Sequence, residues 1–173
     1  MMEITNYEYK KVDNRDVILA VDKKAKALSV ETNFSQFRDQ LFCEIAGKDI
    51  KKFCELLNKD SELSFEYIKC MTAVDYIEWL EMIYCLYSFK NNWSVNIKVK
   101  LDGQKPAVDS VTSVYRGADW YEREMAEMFG IDIIGHPNLK PLLLAGDEDG
   151  HPLRKNFEIK WEEREYIPPR KFE

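Results

Sequence analysis

The clearest signal in this chain of 173 residues is a strict alternation near its middle. From Trp93 to Leu101, the residues Trp93, Val95, Ile97, Val99 and Leu101 point one way, and Ser94, Asn96, Lys98 and Lys100 the other. A period of two predicts a strand with one buried and one wet face. Leu80 to Phe89 repeats the pattern through Leu80, Met82, Tyr84 and Leu86, and Phe65 to Thr72 is rich in β-formers. Asn91-Asn92 separates the two alternating runs, and Asn tolerates positive φ, so a hairpin turn is expected there. Val108 to Val114 reads as one more short strand, and Val17 to Val21 as a short β-type run.

Other segments follow a helical period. Ile50, Phe53, Cys54 and Leu57 form one stripe over Asp49 to Asn58, with Asp49 placed to cap the first turn. Arg38 to Ala46 fits both periods: Phe34, Phe37, Leu41, Phe42 and Ile45 suit a helix, while Leu41, Cys43 and Ile45 alternate like a strand. Asp119 to Phe129 predicts a helix with Tyr121, Met125, Met128 and Phe129 on its apolar face. Asp119 and Glu122 make a capping-box-like pair at its start, and Gly130 is a natural stop. Beyond Ile134 regular periodicity fades.

These elements predict an α+β fold: a mostly antiparallel sheet, flanking helices, and an irregular, extended C-terminal third. One domain is expected over residues 1–157, followed by an extended tail over 158–173. The tail scatters Trp161, Tyr166, Ile167 and Phe172 among charges, and Pro168-Pro169 enforces an extended path. It reads as a strap for a partner surface.

Composition narrows the function classes. A hydrophobic fraction of 45% supports a packed core, and a net charge of −6 argues against a dedicated nucleic-acid binder. No run of about 18 apolar residues exists to span a membrane, and no signal-peptide pattern follows Met1-Met2-Glu3. A cytoplasmic protein reaching the membrane only through partners is expected. The cysteines Cys43, Cys54, Cys70 and Cys85 contain no Cys-x-x-Cys pair, so the usual cluster and zinc spacings are missing. They read as reduced, mostly buried thiols.

Both histidines sit in Gly-His-Pro: Gly135-His136-Pro137 and Gly150-His151-Pro152. They could ligate a metal together with Asp147 or Asp149, or simply bond nearby backbone in pinned turns. Arg123 and Glu127, four apart, can pair on the helix beside Glu122 and Glu124. No nucleophile–base arrangement or glycine-rich phosphate loop occurs. By residue chemistry alone this is a domain without a self-contained active site.

Three linked motifs add a resemblance. Ala118 to Ile131 (ADWYEREMAEMFGI), Gly135 to Leu139 (GHPNL) and Gly150 to Phe157 (GHPLRKNF) resemble the signature of the complex I 30 kDa subunit family, NuoC. Met71 to Tyr76 (MTAVDY) resembles its segment before the hairpin. Glu127, Asn138 and Asn156 stand where that pattern has Asp, and Lys140-Pro141 where it has Arg-Arg.

The resemblance implies a subunit of the peripheral arm of a membrane-bound NADH:quinone oxidoreductase, on the inner face of the cell membrane. It implies no flavin, cluster or metal, and no catalytic residue. Its partners would be the hydrogenase-large-subunit-like, quinone-site subunit and the adjacent iron–sulfur small subunit, positioned for electron transfer coupled to ion translocation. Equivalent subunits serve energy-converting membrane-bound NiFe hydrogenases and ferredoxin- or F420H2-linked relatives. The docking surface would comprise Trp120, Glu122, Arg123, Glu124, Phe129, Gly130, Gly135, His136, Pro137, Gly150, His151, Pro152, Leu153, Arg154 and Lys155. A free-standing metal-dependent hydrolase built on His136 and His151 is the rival from another class.

Overall fold

A computed structural model describes residues 14–144 and 150–158. Residues 145–149, with Asp147 and Asp149, and the tail from residue 159 lie outside the described residues. Helix α1 (Asn14–Ala27) leads into strands β1 (Asn33–Phe37) and β2 (Gln40–Ile45), then a 3-10 turn (Gly47–Asp49) and helix α2 (Ile50–Lys59). Strands β3 (Tyr67–Asp75), β4 (Trp79–Ser88) and β5 (Trp93–Asp102) follow. Strand β6 (Ala107–Asp109), helix α3 (Ala118–Phe129) and strand β7 (Asp132–Ile134) complete the α+β architecture.

The five long strands form one sheet in the order β1-β2-β5-β4-β3. All neighbours are antiparallel except β2 and β5, which run parallel. Strands β6 and β7 pair in parallel as a separate two-stranded sheet. The alternation of β4 and β5 is obeyed. Leu80, Met82, Tyr84 and Leu86 are buried opposite Leu101, Val99, Ile97 and Val95. Trp79, Glu81, Ile83, Cys85 and Tyr87 form the partly exposed outward row of β4. Asn92 sits at φ 55°, the left-handed conformation expected of that turn.

Three readings of the pattern change. Val17 to Val21 is helix, not strand: Val17, Val21 and Ala25 are spaced i, i+4, i+8 and are the buried stripe of α1. A five-residue window is too short to show that spacing. The ambiguous stretch from Arg38 resolves as strand β2, with Leu41, Cys43 and Ile45 buried and Phe34 and Phe37 left on the edge strand β1. Strand β6 ends at Asp109, because Val111 begins a turn in which Val114 and Tyr115 both donate to its carbonyl.

Helix α2 buries Ile50, Phe53, Cys54 and Leu57 against the sheet's inner face. Asp49 heads the helix but makes no cap bond; its carboxylate pairs with Lys52 at 2.7 Å instead. Helix α3 packs against β3. Tyr121 donates its hydroxyl to the Lys69 carbonyl at 3.0 Å, and Tyr115 to that of Phe65 at 2.8 Å.

Candidate functional site

The motif-bearing residues gather around α3. The helix begins at Ala118, with Gly117 at the cap position and no side-chain cap, so the expected Asp119–Glu122 box does not form. The reason is that Glu122 falls on the buried stripe with Ala118, Met125 and Phe129, and is only 1% exposed. Inside, its carboxylate accepts Ser110 Oγ–H at 2.6 Å and the Val111 amide at 2.7 Å. Because Ser110 donates its one proton to Glu122, Thr112 Oγ1 donates to Ser110 Oγ at 2.7 Å. Burial pushes the Glu122 carboxyl above its ordinary range, with Ser110, Val111 and the nearby His136 opposing it.

His136 docks its loop onto this end of the helix. Its side chain is fully buried. Nδ1 accepts the Asn138 amide at 3.1 Å, so in the neutral ring Nε2 carries the proton. Nε2 lies 3.3 Å from the Asp119 carbonyl and 3.3 Å from Asp119 Oδ1. The first Gly-His-Pro is thus an internal fastening with Gly135 at φ 77°.

Farther along, Arg123 and Glu127 do not pair with each other. Arg123 donates to the Lys140 and Pro141 carbonyls at 2.9 and 2.8 Å. The Glu127 carboxylate accepts the amides of Leu142, Leu143 and Leu144 at 3.2, 2.8 and 3.0 Å. One helix face therefore offers a cation to two carbonyls and an anion to the three amides that follow them. Burial pushes the Glu127 carboxyl up, but the three amides and Arg123 outweigh it and hold it below its ordinary value.

The second Gly-His-Pro closes the helix's other end. A helix leaves its last carbonyls without intrahelical donors. Here Gly130, at φ 69°, donates to Ala126, His151 Nδ1–H donates to the Glu127 carbonyl at 2.9 Å, and the Leu153 amide donates to Met128 at 3.1 Å. The His151 ring covers Gly130 so closely that a Cβ there would sit 2.4 Å from ring atoms. The loop is then tied to the sheet. Arg154 Nε pairs with Asp75 at 3.2 Å, another Arg154 nitrogen donates to the Gly103 carbonyl, and the Lys155 amide donates to Asp75 at 3.0 Å. Burial raises the Asp75 carboxyl, but the Lys155 and Ile77 amides and Arg154 bring it below its ordinary value.

The residues expected on a docking surface therefore separate into two groups. Glu122, Phe129 and the His136 ring are buried, and Arg123 and Arg154 are engaged with this chain's own backbone. Trp120 is 65% exposed, with Arg123 lying 5.9 Å from its ring centroid, and Leu153 is 51% exposed. Gly135, Pro137, Gly150, His151 and Lys155 are exposed, and Glu124, Gly130 and Pro152 are half-buried. Leu139, which ends the GHPNL motif, and Leu143, which no quoted motif contains, are exposed too, at 42% and 62%. Of the two, Leu139 lines a shallow groove with Arg123, Ala126, Glu127, Ile131 and His151. Their signal in the sequence is faint: apolar side chains in a segment with no period to bury them.

The two histidines are not brought together. They bind the carbonyls of Asp119 and Glu127, roughly 12 Å apart along the helix axis at 1.5 Å per residue. That separation breaks the shared metal site of the hydrolase reading. Among the described residues no group of three His, Cys, Asp or Glu is placed to hold a metal ion.

The family model described as the respiratory-chain NADH dehydrogenase 30 kDa subunit matches residues 43–164, a span containing α3 and both Gly-His-Pro loops. The chain belongs to that family. Among relatives in the 30 kDa subunit family, the NADH-quinone oxidoreductase C subunit of Roseiflexus sp. (strain RS-1) is 36% identical over 132 residues, 75% of this chain and 76% of its own length. The corresponding C subunit of Citrifermentans bemidjiense is 32% identical over 156 residues, 88% of this chain and 94% of its own. Two solved structures share the fold. One chain of the membrane-bound sulfane sulfur reductase, an archaeal respiratory membrane complex, superposes with a TM-score of 0.70 at 20% identity, over 84% of this chain and 85% of that one. The trypsin-resistant fragment (1-134) of Nqo5 superposes with a TM-score of 0.56 at 21% identity, over 70% and 98%. The family's motif region in this chain is thus the region that the α3 clamps hold in place.

Proposed function

We propose that this chain is the NuoC-type subunit of a membrane-bound respiratory complex of the NADH:quinone oxidoreductase type, acting as a scaffold without cofactor or active site of its own. It sits on the inner face of the membrane through its partners: the quinone-site subunit related to hydrogenase large subunits, and the iron–sulfur small subunit beside it. Among the described residues no helix is long and apolar enough to cross a membrane. One observation carries the reading. His136, Arg123, Glu127, His151 and Arg154 of the motif region are used to fasten two irregular loops in place around α3, and among the side chains that the helix and those loops present outward are four large apolar ones: Trp120, Leu139, Leu143 and Leu153. Exposed large apolar residues grouped on loops that hydrogen bonds fix in place suit a protein interface. The role is geometric, fixing the distance between clusters and acceptor held by neighbours while they move electrons and translocate an ion.

The test uses the tagged full chain in its native host. Trp120→Ala with Leu143→Asp should leave the melting temperature of the isolated subunit within about 2 °C, as surface changes rarely exceed about 0.5 kcal/mol. Intact complex on a native gel should fall about tenfold or more, because a buried Trp anchor contributes about 2 kcal/mol. Normal complex yield from the double variant sinks this placement of the interface. Stoichiometric iron, zinc or flavin in the purified subunit sinks the scaffold reading itself.

A second reading, the equivalent subunit of an energy-converting NiFe hydrogenase or a ferredoxin- or F420H2-linked complex, draws on Asn138, Asn156 and Lys140-Pro141, which depart from the respiratory pattern. Mass spectrometry of the same purified complex separates them. A flavin-binding NADH module supports the first, and a large subunit with NiFe-ligating cysteines the second.

A further inference from the structure

We propose that Cys70 and Cys85 form a redox-active dithiol on the outward face of the sheet, closing to a cross-strand disulfide by exchange with a small-molecule disulfide. The register carries the argument. Tyr67 pairs with Tyr87 and Ile68 with Leu86, but the next pair is Cys70 with Cys85, so Lys69 is an extra, bulged residue. Without that bulge Lys69 would oppose Cys85, and Cys70 would oppose Tyr84 on the core side. The bulge turns Cys70 outward to meet Cys85, a known use of such irregularities. Directly opposed residues of an antiparallel pair have Cα atoms about 4.5–5.5 Å apart, inside the roughly 4.4–6.8 Å that a disulfide bridges. Closure needs side-chain rotation and no sliding of strands.

The two thiols are unequal in a useful way. Cys70 is exposed and Cys85 half-buried. Burial, then the adjoining Cys70 thiol, push the Cys85 pKa up to about 12, with Lys69 opposing. Cys70 is therefore the thiol that meets a reagent. As thiolate it attacks one sulfur of R–S–S–R, forming a mixed disulfide and releasing RS⁻, which takes up the Cys70 proton. Cys85 sulfur then attacks the Cys70 sulfur and expels the second RS⁻, which takes up the Cys85 proton. Two protein thiols are oxidised and one small disulfide is reduced to two thiols. The low thiolate fraction of Cys85 is offset by the high effective concentration of a positioned neighbour.

The remaining cysteines serve as internal controls. Cys43 and Cys54 are fully buried, and Cys43 faces Phe34 and Ile97 in its two ladders, not another thiol. Burial pushes both thiols far up. The dithiol also adjoins the α3 contact, since the bulged Lys69 supplies the carbonyl that Tyr121 binds.

The purified, reduced full chain is incubated with oxidised glutathione, alkylated without denaturant, digested and mapped by mass spectrometry. The expected product is a Cys70–Cys85 linked peptide that dithiothreitol removes. In Cys85→Ser, glutathione should stay on Cys70, at about tenfold or more the wild-type level, since the resolving thiol is gone. A wild-type chain that keeps a stable Cys70–glutathione adduct, or whose two thiols stay fully alkylatable, overturns the proposal. An independent probe is phenylarsine oxide, which bridges paired thiols. Wild type should bind it tightly and the exposed-site variant Cys70→Ser should not; equal binding by both also overturns it.

Discussion

The sheet core and the α3 surround are held together by different forces. In the first, Phe53, Leu57, Tyr84 and Ile97 are fully buried in one hydrophobic cluster, so apolar burial dominates. In the second, the chain from Gly135 to Leu144 and from Gly150 to Glu158 buries little. It is fixed by side chains gripping backbone: His136 on Asp119, Arg123 on Lys140 and Pro141, Glu127 on Leu142 to Leu144, His151 on Glu127, and Asp75 on Lys155. Burial is non-directional and tolerates substitution of like for like. The grips are directional and specify a single loop path.

Four changes probe that contrast. Phe53→Ala, in the core, should have the largest effect, about 3–5 kcal/mol by denaturant titration. A loss under about 1 kcal/mol would mean the core is not held by burial as described. Next come two of the glycines of the clamped region. Gly130→Ala meets both a positive φ and the His151 ring, so a loss of about 1–3 kcal/mol is expected, with His151 and its loop displaced. Gly135→Ala has a similar φ of 77° but open space around it, so only the backbone term remains, about 1 kcal/mol. Equal losses at the two sites would show that the His151 contact contributes nothing.

The smallest effect on stability, and the most local, is expected from Glu127→Gln. It keeps the shape but removes the charge from three amide bonds at a half-exposed site, about 0.5 kcal/mol after solvent screening. The Glu127 carboxyl is held below its ordinary value, so its contribution is present above the unfolded carboxyl's pKa near about 4.3 and is lost as pH falls through the lower folded value. The Leu143 amide chemical shift should follow this titration, with a midpoint below that of a free Glu, and Glu127→Gln should abolish it. Glu122 has the opposite sign: its raised folded pKa means its contribution is present at low pH and lost as pH rises through that value. A Leu143 midpoint at or above the free value would remove the clamp from the account.

The same contrast explains what was legible in the sequence. Burial leaves a period, so β4, β5 and α2 could be read from spacing alone, and Asn92 and Gly130 from their φ preferences. Grips leave none. Nothing in the spacing of Arg123 and Glu127 says that they reach for residues 140–144 and not for each other, because the i, i+4 pair is equally feasible on an isolated helix. The Asp119–Glu122 box failed for a related reason. A carboxylate on an apolar stripe goes inward when Ser110 and Val111 supply donors, and those lie on a neighbouring segment. The motifs could be matched as a resemblance, but what each residue holds emerged only in three dimensions.

The parallel pairing of β2 with β5 also has a temporal side. Asn96 of β5 donates to the Leu41 carbonyl of β2 across 55 positions of chain. On a ribosome adding about 5–20 residues each second, the β1–β2 hairpin therefore waits roughly 3–11 s for the strand that completes it. During that wait one edge of β2 has unpaired amides and carbonyls, and the Leu41, Cys43 and Ile45 side chains lack the packing that β5 supplies. The nascent hairpin is the stage at which this protein is most open to wrong strand partners. Chaperone capture should accordingly peak while β3 and β4 are being made and end when β5 clears the exit tunnel.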